Sequence, residues 1–135
     1  MINKLRIFVI AFLLSPLLAN AQSLDSKYIF EELEEVDSFR NWNSIGWQVL
    51  DTQSLLVDFV GSRSYLLILR HNVPGFRLTN EIEITANNNQ EVISGIDRVM
   101  SRDQPTSNSV IEKIYLIPDR DARRLVRNRL IGTAL

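Results

Sequence analysis

The sequence contains no cysteine, one histidine, five glycines and four prolines in 135 residues. Without cysteine there can be no disulfide, no thiolate metal ligand and no thiol nucleophile, so the folded chain must hold together by packing alone. A single histidine, His71, cannot furnish a multi-histidine metal site. His71 lies beside Asn72 and a turn and no Gly-x-Ser-x-Gly segment accompanies it, so a Ser-His-Asp hydrolase is not indicated. No apolar run reaches the roughly 20 residues that a membrane-spanning helix needs. The charge is nearly balanced, at −1, which gives no general reason to bind nucleic acid. Internal repeats and low-complexity tracts are missing too, and nothing in the composition calls for a cofactor.

The first 21 residues stand apart. Lys4 and Arg6 precede the short apolar core Ile7–Leu14, Pro16 interrupts it, and Ala19-Asn-Ala21 follows. A basic start, an apolar core and a small-residue end are the three parts of a secretory signal peptide. The expected product is exported to the periplasm or beyond, cut between Ala21 and Gln22, with no transmembrane segment left after cleavage. No cysteine follows the core, so acylation as a lipoprotein is closed. All 16 acidic residues lie beyond Ala21 while two of the 15 basic ones are lost with the leader, which moves the net charge from −1 to −3.

The remainder is long enough for one domain. In residues 22–40, Ile29, Leu33 and Val36 recur at helical spacing with Glu31, Glu32, Glu34 and Glu35 between them, which predicts a short amphipathic N-terminal helix. The four glutamates read as a solvated face rather than a cation site. From about residue 41 the period changes. Gly46–Leu50, Leu55–Val60 and Ser64–Leu69 are short β-branched and aromatic runs divided by turn residues, and Glu81–Thr85, Ile96–Met100 and Val110–Ile117 continue the pattern. Gly61 suits a three-residue hairpin turn, and Pro74-Gly75 suits a type II turn. From Asp119 the apolar positions Ala122, Val126 and Leu130 return to helical spacing, with Gly132 expected as the stop. The expected fold is mainly β: a small antiparallel barrel or sandwich of about six strands over residues 41–118, a short N-terminal helix, and a C-terminal helix in 119–135 packed on or trailing the same domain.

An ordered set of segments then becomes recognisable. Ser38-Phe-Arg40, Gly46-Trp47-x-x-Leu50-Asp51, Tyr65-Leu-Leu-Ile-Leu69 and Pro74-Gly75-Phe76 are followed by Ile82-x-Ile84-Thr85, Ile96-Asp97-x-Val99 and Ile111-x-x-Ile114. Together they resemble a family of small exported proteins of Gram-negative bacteria, classed only as a domain of unknown function. The resemblance spans Ser38 to Asp119 and implies no activity, cofactor or catalytic residue. Members of that family carry a cysteine just before the Pro-Gly-Phe segment and another two residues before the first isoleucine of Ile-x-x-Ile. Here those positions are Val73 and Ser109. If the two cysteines are bridged in relatives, this chain has lost the bridge as a pair, and packing must offset the about 2–5 kcal/mol that such a loss typically costs.

Few residues invite chemistry. Glu81 and Glu83 share one strand face, as a glycosidase pair could, but beside inward isoleucines they read as water-facing. Trp42, Trp47, Phe59 and Tyr65 could stack on sugars, although aromatics in a small β domain usually form its core. Asp97 is either an interaction residue or an acceptor of backbone hydrogen bonds in a turn. Arg120, Arg123, Arg124, Arg127 and Arg129 crowd the last helix, where a solvated face is the expectation and an anionic envelope surface the sharper alternative. The residues singled out for contact are therefore Trp47, Tyr65, Asp97, Arg123, Arg124 and Arg127. The functional expectation is a non-enzymatic periplasmic module that contacts an unidentified protein or envelope component. A carboxylate-dependent hydrolase of an envelope polymer, or an inhibitor of a secreted hydrolase, are the alternatives. N-terminal sequencing of protein recovered from the periplasm should begin at Gln22; a retained Met1, or recovery with the membrane, contradicts the cleavage site.

Overall fold

The structure, a computed structural model, describes residues 24–42, 44–61 and 63–131. The leader, its cleavage site and the expected helix stop at Gly132 lie outside the described residues. Among these, nine strands are present: β1 Glu35–Val36, β2 Ser38–Arg40, β3 Ser44–Asp51, β4 Ser54–Phe59, β5 Ser64–Leu69, β6 Ile82–Ile84, β7 Glu91–Ile93, β8 Arg98–Ser101 and β9 Asn108–Ile117. One α-helix, α1, spans Arg120–Leu130. Six strands form a curled antiparallel sheet in the order β3-β4-β5-β9-β8-β6, a half-barrel, with β1 added along β9. β2 and β7 make a separate two-stranded ribbon.

The middle of the sheet explains the rest. Leu55, Val57 and Phe59 of β4 and Leu67 and Leu69 of β5 point into one buried cluster. Leu56, Leu66 and Ile68 point into a second cluster, on the opposite face. Successive strand residues face opposite sides, so a strand with both faces buried reads as an unbroken apolar run. The first cluster is closed by Phe39 and Val92 from the β2–β7 ribbon and by Phe76 from a 3-10 turn. The second is closed by Tyr28 and Phe30 from the N-terminal segment and by Val126 and Leu130 of α1.

β9 serves both clusters by changing face partway along. Ile68 pairs with Lys113 and Leu69 with Ile111, so Glu112 is the extra residue of a bulge. Ile111 and Ile114 therefore reach the first cluster, and Tyr115 and Ile117 the second. The bulge also turns Glu112 towards Arg70, at 2.5 Å, while the neighbouring Lys113 meets Glu35 at 3.1 Å.

Two local expectations are corrected. Residues 22–40 do not form an amphipathic helix: the described part is a 3-10 turn over Ser26–Tyr28, then β1 and β2. Like charges three and four residues apart, as at Glu31, Glu34 and Glu35, oppose an isolated helix that is already marginal by length. The 3-10 turn and the chain after it instead lay Tyr28 and Phe30 on the sheet, and Leu116 N–H donates to the Glu34 carbonyl at 2.9 Å. The strand expected at Ile96–Met100 starts two residues later, at Arg98, because Gly95 and Ile96 belong to the turn out of β7. Pro74-Gly75 behaves as expected, Gly75 taking φ +74° and ψ 7° before the 3-10 turn at Phe76. Ile82 and Ile84 pack inward against the first cluster, and Glu81 and Glu83 are exposed.

Val73 and Ser109 are both buried, and the Ser109 hydroxyl accepts from the backbone N–H of His71, two residues before Val73, at 2.9 Å. Replacing both by cysteine should yield an oxidised bridge that raises the thermal midpoint, read by thiol titration and thermal melts with and without reductant. Two free thiols after oxidation would mean that the positions lie beyond the roughly 7 Å Cα separation that a bridge tolerates.

Candidate functional site

The β4–β5 hairpin turn is where the interior gives out. Phe59 N–H closes it on the Arg63 carbonyl at 2.9 Å, and Gly61 adopts φ +91°, which a side chain would disfavour. Just before the turn, Asp58 breaks the apolar run of β4 on the face that α1 covers. Arg123 of α1 grips its carboxylate with two nitrogens, at 2.6 and 3.2 Å, and the Ser64 hydroxyl donates to it at 2.6 Å. Burial raises the Asp58 pKa, but the hydrogen bonds from Arg123 and Ser64 and the guanidinium charge outweigh it and hold the carboxyl below its usual range. Asp119 caps α1 by accepting from Ala122 N–H at 2.8 Å.

Two surface cavities adjoin this turn and a third continues from them along α1. One, of about 700 Å³, lies between Ile45, Val60, Asp58, Pro118, Arg120 and Arg123. The second, of about 630 Å³, is lined by Arg40, Trp42, Phe59, Val60, Arg63 and Tyr65, with no carboxylate among them. The third, of about 440 Å³, follows α1 past Arg120, Arg123, Arg124 and Arg127. The first two share Phe59, Val60 and Gly61, and the first and third share Arg120 and Arg123, so the three form one continuous surface.

Aromatic rings build the wall of the second cavity from below. Phe39 stacks on Tyr65 with centroids 4.8 Å apart, and Phe59 meets both edge-on at 5.7 and 5.8 Å. Tyr65 is thereby half-buried and Phe59 buried, whereas Trp42 and Trp47 are exposed. The Arg40 guanidinium lies 4.9 Å from the Trp42 ring centroid.

The other residues singled out from the sequence fall elsewhere. Asp97 is buried in the β7–β8 turn, where it accepts from Thr85 Oγ1 at 2.8 Å and Ile93 N–H at 2.7 Å. Glu81 and Glu83 share Arg102, at 3.1 and 4.0 Å, out in solvent. His71 is exposed. Glu32 pairs with Arg129 at 2.6 Å, and among the described residues no cluster of three or more His, Cys, Asp or Glu could hold a metal. Thus Tyr65 lies on one side of the hairpin turn and Arg123 on the other, Arg124 and Arg127 lie farther along α1, Trp47 is on β3, and Asp97 does not join them. Sequence reasoning missed Arg40, Ile45, Asp58, Val60 and Arg63. Asp58 could have been noticed as the one charge within an otherwise buried run.

The fold and this surface define a small mainly β protein, a half-barrel with one C-terminal helix and an arginine-lined aromatic end. By its sequence the chain belongs to the family of unknown function DUF6491, whose model matches residues 1–130. No curated protein and no solved structure gives a significant match.

Removing either partner of the Asp58–Arg123 pair, as Asp58→Asn or Arg123→Gln, should cost about 1–3 kcal/mol, and the double variant little more than either single change, because the partners act as one unit. A carboxylate with a depressed pKa stabilises the fold above its unfolded value near 4, and that contribution is lost as pH falls through the lower folded value. Urea titrations from pH 7 down to pH 3 should show the wild-type advantage over Asp58→Asn shrinking below about pH 4; a constant difference contradicts the pairing.

Proposed function

We propose that this protein is a non-enzymatic binding module of the bacterial envelope, exported by its N-terminal leader, and that it makes contact through the end of the half-barrel around the β4–β5 turn. The observation that carries the reading is the exposed Trp42 ring under Arg40, beside a cavity lined by Arg63 and Tyr65 and free of carboxylates. Aromatic faces with arginines at an exposed site are the composition of contact surfaces. A hydrolase reading is weaker, since the carboxylates beside these cavities, Asp58 and Asp119, are spent on Arg123 and on capping α1. The pair Glu81 and Glu83 is exposed and bound to Arg102.

Purified protein lacking residues 1–21 should co-sediment with crude envelope fragments of a Gram-negative bacterium, and Trp42→Ala with Arg63→Gln should weaken this at least about tenfold, as expected for anchors at a contact centre. Undiminished binding by that variant removes the site from the reading. Release of soluble sugar or peptide from the fragments, abolished by Glu81→Gln with Glu83→Gln, favours the hydrolase instead.

A further inference from the structure

Seven large apolar side chains are exposed among the described residues, and four of them, Trp42, Ile45, Trp47 and Val60, lie on β3, just before it, or at the β4–β5 turn. Ile45 and Val60 are each 68% exposed and line the same cavity. Nothing in the fold requires apolar residues there: both core clusters are complete without them. Around this patch stand Arg40 and Arg63 on one side and Arg120 and Arg123 on the other. Arg124 and Arg127 continue the line along α1. Arg120, Arg124 and Arg127 follow one another at four- and three-residue spacing, which puts them on one helix face. The apolar positions of α1 are turned into the core. Arg123 is neutralised by Asp58, while Arg63, Arg120, Arg124 and Arg127 form no ion pair with a described residue.

We infer that this end of the half-barrel docks on an anionic lipid bilayer, with Ile45, Val60 and Trp42 entering the headgroup layer and the arginines resting on the phosphates. The inference rests on the binding-module reading and names its partner. A bilayer suits both halves of the patch, because it offers apolar depth beneath a layer of negative charge. A polysaccharide or nucleic acid would meet the arginines and leave Ile45 and Val60 in water. A second copy docking by this same patch would bring arginine against arginine. The helix does not insert, since its apolar stripe is occupied by the sheet; it contributes only its charged face.

The test is co-sedimentation of protein lacking residues 1–21 with phosphatidylcholine vesicles, with and without about 30 mol% phosphatidylglycerol, followed in parallel by tryptophan emission. Both tryptophans of the chain, Trp42 and Trp47, lie at this end, so their emission reports burial there. Binding should need the anionic lipid, shift the emission to the blue, and weaken with salt as the Debye length falls below about 10 Å. Arg63→Gln, Arg124→Gln and Arg127→Gln together should weaken it about 100-fold, at about fivefold for each arginine near the surface. Ile45→Ser with Val60→Ser should reduce both the blue shift and the affinity; both variants change exposed residues, and their circular dichroism should match the wild type. Equal binding to dextran sulfate without a blue shift, or full vesicle binding by the arginine variant, overturns the inference. If the protein sediments with lipid-free sacculi or crude envelope fragments but not with vesicles, the bilayer is wrong and the binding-module reading stands; sedimentation with none of the three ends both.

Discussion

Two adjacent strands of this protein are apolar on both faces, and everything else is arranged to keep water from them. β4 and β5 place Leu55, Val57, Leu67 and Leu69 on one side and Leu56, Leu66 and Ile68 on the other, all of them buried. Burying such a side chain is worth about 1.5–3 kcal/mol, so leaving either face open would forfeit an amount comparable to the whole net stability of a typical small domain, about 5–15 kcal/mol. An antiparallel sheet commonly covers one face and wets the other. Here the N-terminal segment and α1 take one face and the β2–β7 ribbon takes the other. The bulge at Glu112 lets the single strand β9 contribute to both.

The covers are held by polar contacts placed where the apolar packing thins out. Tyr28 donates to Asp51 at 2.8 Å, and Asp51 also orders the β3–β4 turn by accepting from Gln53 N–H and the Ser54 hydroxyl. Burial, followed by the hydrogen bond and charge of Asp51, pushes the Tyr28 phenol up, so it stays protonated and a donor over the whole working range. At the other end of the same face Arg123 clamps Asp58, and Arg129 lies over the Phe30 ring, 4.4 Å from its centroid. These contacts are partly buried and geometrically fixed. The solvent pairs Arg102–Glu81 and Arg102–Glu83 belong to the class whose contribution is small.

How much of this could be read in the sequence depends on whether local pattern and tertiary role agreed. The runs Leu55–Val60 and Ser64–Leu69 announced strands because β-branched and aromatic residues between turn signals suit little else. Ala122, Val126 and Leu130 announced α1 because one apolar stripe meets one surface. The N-terminal segment misled because Ile29, Leu33 and Val36 imitate a stripe, while Tyr28 and Phe30 are the residues that the sheet captures and Ile29 faces water. That choice is made by a long-range contact, Phe30 against Tyr115 at 5.5 Å, which no local period encodes. The same holds for the site. The α1 arginines were visible as a cluster, but Arg40, Ile45 and Val60 became part of one surface only when β3 and the β4–β5 turn were brought beside α1.

The sorting of charge follows from the same architecture. Of the glutamates at residues 31–35, Glu32 takes Arg129 at the C-terminal end of α1, and Glu35 answers Lys113 on the bulged strand. Glu32 thus sits at the far end of the helix from Arg120, while Asp119 and Asp121 flank Arg120 in the first turn. Asp119, the cap, and Asp58, already neutralised, are the carboxylates beside the cavities near the β4–β5 turn. A chain with a net charge of only −1 thus carries a locally positive end. Such a field reaches about one Debye length at moderate salt, too short to steer distant polyanions but long enough to act on a surface in contact. Exposed valine and isoleucine in the middle of that field stabilise nothing in the fold, and each gives up its transfer free energy to water until something apolar covers it. Cover on both faces of the sheet satisfies folding; the end around Val60 is what folding leaves over.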